Sequence, residues 1–150
     1  MESIKHYHKN AISCLPDELQ KWVEFRLSPP INKNFCILRG VGYEHLPEGE
    51  FDMVFIDGPT EVIEGEKTMC MDILDIVERQ ERPLDIIVDT KQTTLIGLIA
   101  AFGPGKVRYS TLLGVGMIEN VCKSDLILAR DPKQLKTQQT IFSHFGWNTH

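Results

Sequence analysis

The sequence predicts a three-layer α/β sandwich whose mostly parallel sheet is closed by a C-terminal antiparallel hairpin. Three observations carry this. The apolar, β-rich runs FDMVFIDGP (51–59) and LDIIVDT (84–90) each reach an aspartate at their end. Segments of helical period follow each of them. Two further strand-like runs then close the fold with no helix between them. Buried strands alternating with helices are the pattern of a parallel sheet wound by right-handed crossovers.

Composition sets the frame. The 150 residues fit a single domain, 1–150. A chain this long buries roughly 68–70% of its unfolded surface, so it needs no disulfide or metal to fold. With 42% hydrophobic and 25% charged residues it is neither a disordered tail, a collagen-like fibre nor a coiled coil. A net charge of −5 argues against a nucleic-acid partner. No apolar run approaches the ~18 residues of a membrane span. MESIKHYHKN lacks the apolar stretch of a secretory signal. Cys14, Cys36, Cys70 and Cys122 form no C-x-x-C half-site and lie in or beside apolar runs, which points to a reducing, cytoplasmic setting.

Each element has a local reason. Residues 1–13 are polar and carry His6 and His8 with no further ligands nearby; a mobile N-terminus is expected. In CLPDELQKWVEFRLSPP, Leu15, Leu19, Trp22, Val23 and Arg26 share a helical face. Pro16, Asp17 and Glu18 suit its first turn, and Pro29 and Pro30 stop it. NFCILRGV reads as one short buried strand and GYEHLPEGE as a loop. From about Glu66 to Glu78 a helix is expected, with Met69, Ile73, Ile76 and Val77 on one face. TTLIGLIAAFGPG is a second helix, with Leu95, Leu98, Ile99 and Phe102 on a stripe and Gly103 and Gly105 in positive-φ positions at its end. KVRYSTLLGVGMIENV and SDLILAR form the closing hairpin, turning around Cys122 to Ser124. The tail 131–150 holds Ile141, Phe142, Phe145 and Trp147 and reads as a short docked helix.

Open α/β sheets place ligands at strand ends, which singles out Asp57 and Asp89. Side by side they could hold a divalent cation or hydroxyls, or act as a base. The competing reading is that each caps the turn that follows it. Other fragments fail. Gly40-Val41-Gly42 lacks the third glycine of a dinucleotide loop and leads into Tyr43-Glu44-His45, not a helix. Gly114-Val115-Gly116 lies in a strand run, where close packing explains it better. Gly103-Pro104-Gly105-Lys106 has Ala100 where a phosphate loop needs glycine. His45 reads as a solvated loop histidine.

Tyr43-x-x-Leu46-Pro47 followed by Phe51-Asp52-Met53-Val54-Phe55-Ile56-Asp57-Gly58-Pro59 resembles the fourth-strand region of class I S-adenosylmethionine-dependent methyltransferases of the small-molecule O-methyltransferase type. The resemblance covers roughly residues 35–130. It implies a Rossmann-like three-layer sandwich lacking the first strands of the full fold. It implies S-adenosylmethionine as cofactor, bound by Asp57, Gly58 and Pro59, and a small-molecule substrate. It further implies Asp57 and Asp89 as catalytic residues that hold a divalent metal such as Mg. Residues 1–34 supply neither the glycine-rich loop nor the second-strand acid through which that family binds its cofactor. The expectation is therefore the C-terminal part of such an enzyme, inactive alone and binding the cofactor weakly or not at all. The alternative is a non-catalytic binding or oligomerisation module that kept half the fold. Without the family's central strands, FDMVFIDGP has no neighbour on one side. A homodimer of C2 symmetry, helped by Ile141 to Trp147, is expected to satisfy it.

Overall fold

The computed structural model describes residues 5–36, 38–59, 62–89 and 91–127. In chain order these form α1 (Lys5–Cys14), α2 (Asp17–Gln20), β1 (Pro30–Phe35), β2 (Leu38–Tyr43), β3 (Met53–Ile56), β4 (Val62–Ile63) and β5 (Glu66–Lys67). There follow β6 (Met69–Cys70), α3 (Asp72–Arg79), β7 (Leu84–Asp89), α4 (Gln92–Phe102), β8 (Arg108–Ser110) and β9 (Val115–Val121).

The strands make three separate sheets: β1-β2-β6, β3-β7-β9-β8 and the β4-β5 hairpin. Only β2–β6 and β3–β7 are parallel; the other four pairings are antiparallel. This corrects the expected Rossmann-like, mostly parallel three-layer sandwich. The molecule is a small mixed α/β protein with short strands and few helices. The physical reason lies in the helices. α1 and α2 bury no residue, which leaves α3 and α4 as the packing helices. Their apolar faces join Ile56, Ile86, Val88 and Ile118 in one core. The opposite side of the sheet carries Met53 and Phe55, both 59% exposed, so a third layer is absent among the described residues.

Several boundaries move for local reasons. NFCILRGV is two strands. Cys36 sits at φ 54°, and the chain folds back so that Phe35 pairs with Leu38 and Pro30 with Tyr43. The helix expected over 15–26 shrinks to the single turn α2. A short helix without a buried face is marginal in water, and this one buries nothing. Of the stretch 1–13, expected to be mobile, residues 5–13 belong to α1 (Lys5–Cys14). The helix expected from Glu66 begins at Asp72. Before it, Glu64 and Gly65 both take positive φ (52° and 87°) in the tight β4–β5 hairpin. The closing hairpin is β8–β9, turning at Gly114 (φ 66°) inside the first run; residues 123–125 are a short 3-10 turn. At the end of α4 Gly103 has φ 89°, while Gly105 is not in the positive-φ region. The tail 131–150 lies outside the described residues.

Two anchors set β3 in its place. Buried Gln80, just past α3, accepts the Phe51 N–H at 2.9 Å and donates to the Phe51 and Arg82 carbonyls at 2.8 Å. The Asp85 N–H donates to the Asp52 carbonyl at 3.0 Å. With β3 thus fixed on β7, Ile56 stands opposite Val88. Asp57 and Asp89 then follow at adjacent ends of parallel strands, as their sequence pattern suggests.

Glycines let the layers approach. A Cβ on Gly40 of β2 would stand 2.2 Å from the Met69 carbonyl oxygen of β6. One on Gly116 would stand 1.9 Å from Leu95 of α4. Gly40→Ala therefore has to push β2 away from backbone. It is expected to cost ~1–3 kcal/mol, as overpacking does, lowering the thermal midpoint by roughly 2–4 °C per kcal/mol. Gly105→Ala, with nothing within 4 Å of the new methyl, leaves it unchanged. Calorimetric scans of the two variants check this.

Candidate functional site

A cleft of about 800 Å³ is lined by all four residues of β3 and by none of β7, so it lies beside the open edge of β3. That volume lies within the roughly 300–1,000 Å³ typical of small-molecule sites. Ile73 and Ile76 of α3, with Leu46 and Phe51, supply apolar lining. The polar lining comes from Tyr43, Asp57, Asp72 and Lys91, joined by Glu24 and Arg26. The last two spend their charge on each other. Arg26 Nε and Nη2 donate to the two Glu24 carboxylate oxygens at 2.6 and 3.0 Å.

The end of β3 is held from the neighbouring sheet. Cys70 Sγ donates to the Gly58 carbonyl at 3.2 Å. The Tyr43 hydroxyl lies where a Cβ on Gly58 would be 2.8 Å away, so glycine lets the tyrosine close on this turn. Tyr43 is itself fixed by a buried carboxylate. Its backbone N–H donates to both oxygens of Asp72, at 2.9 and 3.1 Å. Lys33 Nζ bridges Asp72 (3.0 Å) and Asp75 (2.7 Å). Gly42 leaves room for this arrangement, since a Cβ there would stand 2.2 Å from Asp72 Oδ1.

Burial pushes the Asp72 carboxyl up from its ordinary range, and its bonds to Lys33 and to the Tyr43 N–H only partly counter that. Burial pushes Lys33 down, but its hydrogen bonds to Asp75 and Asp72 outweigh it, and its net shift is upward. The two shifts pull opposite ways on one ion pair. Sharing explains it: Lys33 faces two carboxylates, while Asp72 lies deepest and has half a cation. The upward shift of Lys33, which rests on two short contacts, is the firmer of the two.

Of the sequence candidates, Asp57, Gly58 and Pro59 line the cleft. Asp89 does not. It ends β7 opposite Val115, on the same side as Ile87, because side chains alternate along a strand. The two aspartates are thus strand-end neighbours that do not share the cleft. Among the described residues no group of three or more His, Cys, Asp or Glu could hold a metal. His45 lies on the surface, 3.7 Å from Glu44. Tyr43, Cys70, Asp72 and Lys91 escaped sequence reasoning as site residues. Asp72 did leave a trace: it is the one charge in the buried run Met69 to Leu74. No described helix is long and apolar enough to cross a membrane. Comparison with family models, with curated proteins and with solved structures finds no match to this chain.

Removing Lys33 leaves Asp72 buried without its cation. Lys33→Met is expected to destabilise the fold by about 3–5 kcal/mol, the range for breaking a buried pair. The pH dependence follows from the signs. A lysine raised on folding contributes stability that is complete below its ordinary value of 10.5 and lost as pH rises through the higher folded value. Asp72, also raised, loses its contribution as pH rises from 3.8 through its own folded value. Chemical denaturation across pH checks both. Wild type loses stability above pH 10.5 relative to Lys33→Met, and a parallel fall in the two proteins contradicts the assignment.

Proposed function

We propose that the chain is a methyltransferase-like domain. Its cleft takes S-adenosylmethionine weakly, and it does not transfer methyl groups alone. One observation carries the reading: the parallel pair β3–β7 delivers Asp57-Gly58-Pro59 into a cleft of small-molecule size. The motif is the part of the sequence that resembles the small-molecule methyltransferases. In this reading Asp57 accepts hydrogen bonds from the cofactor, Gly58 lets Tyr43 close on the turn beside it, and Pro59 completes the turn. The cofactor supplies the electrophilic methyl group. Asp57 is the catalytic carboxylate of this reading, and a divalent cation such as Mg, which accepts one or two carboxylates with solvent completing its shell, would be held by Asp57, since Asp89 lies outside the cleft. The four cysteines, all thiols, support a reducing and cytoplasmic setting.

The weakness has a physical source. Tight nucleoside binding draws on backbone N–H donors such as those of a glycine-rich loop at a helix N-terminus. Among the described residues no such loop lines the cleft; the first turn of α3 is occupied by Asp72 itself. A second reading, a non-catalytic binding or assembly module, draws support from Asp89, which lies outside the cleft.

Titrating S-adenosylmethionine into the ¹⁵N-labelled protein separates the two. The first reading expects amide shifts at Tyr43, Asp57 and Gly58, with a dissociation constant weaker than ~10 μM (about −7 kcal/mol). It expects those shifts to vanish in Asp57→Ala with the fold intact. No shift at millimolar cofactor favours the module. Binding tighter than ~10 μM shows that other residues make the site.

A further inference from the structure

We propose that the cleft reads an α-amino-acid group, with Asp57 taking the ammonium and Lys91 the carboxylate. The inference rests on the reading of the cleft as a small-molecule site and names the chemistry that fills it. The balance of charge along the lining carries it. Among the described residues the charged side chains lining the cleft are Glu24, Arg26, Asp57, Asp72 and Lys91. Three of these are spent. Arg26 and Glu24 hold each other, and Asp72 is held by Lys33. The side chains of Asp57 and Lys91 have no hydrogen-bond or ion-pair partner among the described residues, and they do not pair with each other. One negative and one positive group thus remain on a partly apolar wall. A lone anion satisfies only Lys91, and a lone cation only Asp57. A zwitterion satisfies both.

The fold sets their separation. Asp57 follows Ile56, which pairs with Val88, and Lys91 comes just beyond the end of the same strand, β7. Paired strands stand ~4.8 Å apart, so the Cα atoms of Asp57 and Lys91 lie within roughly 12 Å of each other. An α-amino acid carries its two charges on groups one carbon apart. With a charge-assisted bond of ~2.8 Å at each end, it bridges roughly 8 Å between an aspartate oxygen and a lysine nitrogen. The flexible four-carbon stem of lysine adjusts to such a span. The helix does not account for Lys91. It is the N-cap of α4 yet makes no side-chain cap bond, and a lysine offers no acceptor to a first turn. Ile73 and Ile76 give the ligand's remaining body an apolar surface. The group has two sources, a free amino acid or the amino-acid end of S-adenosylmethionine.

Three probes titrated into the ¹⁵N-labelled full chain test this. S-adenosylhomocysteine carries the group on a nucleoside, methylthioadenosine is a like nucleoside thioether without it, and L-methionine carries it on a short side chain. A probe with the group is expected to shift the Asp57 and Lys91 amides. It is expected to bind at least ~10-fold tighter than methylthioadenosine, as charged hydrogen bonds allow. Lys91→Gln is expected to remove most of that preference and Lys91→Arg to keep it, with the Ile86 and Val88 amides unmoved in both. Binding of S-adenosylhomocysteine with this preference assigns the group to the cofactor. Binding of L-methionine without S-adenosylhomocysteine supports the inference and removes the cofactor reading. Equal binding of S-adenosylhomocysteine and methylthioadenosine, or a preference untouched in Lys91→Gln, overturns the inference and leaves the cofactor reading standing. Silence from all three at millimolar concentration overturns both.

Discussion

The arrangement rests on one buried carboxylate. Asp72 opens α3, accepts the Tyr43 N–H of β2 with both oxygens and meets Lys33 of β1. Those three contacts fasten a helix of the larger core to the β1–β2 hairpin. An unpartnered carboxylate at this depth costs several kcal/mol. The hairpin and α3 therefore hold each other in one relative position. Tyr43 and Cys70 inherit that position, and through them so does the Gly58 turn at the end of β3.

The cleft follows from this fastening and from a strand left on one side without a neighbour. β3 is tied to β7 along its length and to Gln80 at its start, yet among the described residues its outer edge meets a space instead of another strand. An unpaired strand edge is a hazard unless something blunts it. Here the strand is four residues long and flanked by Asp52 and Asp57. The same features that discourage edge pairing leave a concave space with a carboxylate, a phenol and an ammonium around apolar lining. That is the usual composition of a ligand pocket.

Much of this was legible in the residues, and the remainder has identifiable causes. The runs at 51–59 and 84–89 announced two neighbouring parallel strands, and α4 with its Gly103 end was equally clear. Continuous apolar stretches marked both runs as strands, although β3 is an edge strand that leaves Met53 and Phe55 exposed. The hairpin inside NFCILRGV was hidden because its turn uses Cys36 at positive φ, where glycine or asparagine would have marked it. The 15–26 helix failed because its apolar face finds no partner among the described residues; Trp22 remains 77% exposed. Periodicity states what could be buried, and tertiary contacts decide what is. The glycines of β2 were read as a failed cofactor loop. Their purpose lies in approaches that no spacing rule encodes, Gly40 to a backbone oxygen and Gly42 to an ion pair. In the site, Asp57 was legible as a strand end. Lys91 and Tyr43 reach the cleft from loops and strand ends whose positions depend on the whole fold.

The most direct test of the central claim is amide hydrogen exchange at Tyr43. Its N–H is donated to the Asp72 side chain, not to a strand partner. If that carboxylate fastens the hairpin to α3, the Tyr43 amide exchanges only through global unfolding, as slowly as Ile86 and Val88 in the middle of the larger sheet. Asp72→Ala should speed its exchange by orders of magnitude while Ile86 stays protected for as long as the fold survives. Fast exchange at Tyr43 in the unaltered protein, with Ile86 and Val88 protected, would contradict the account.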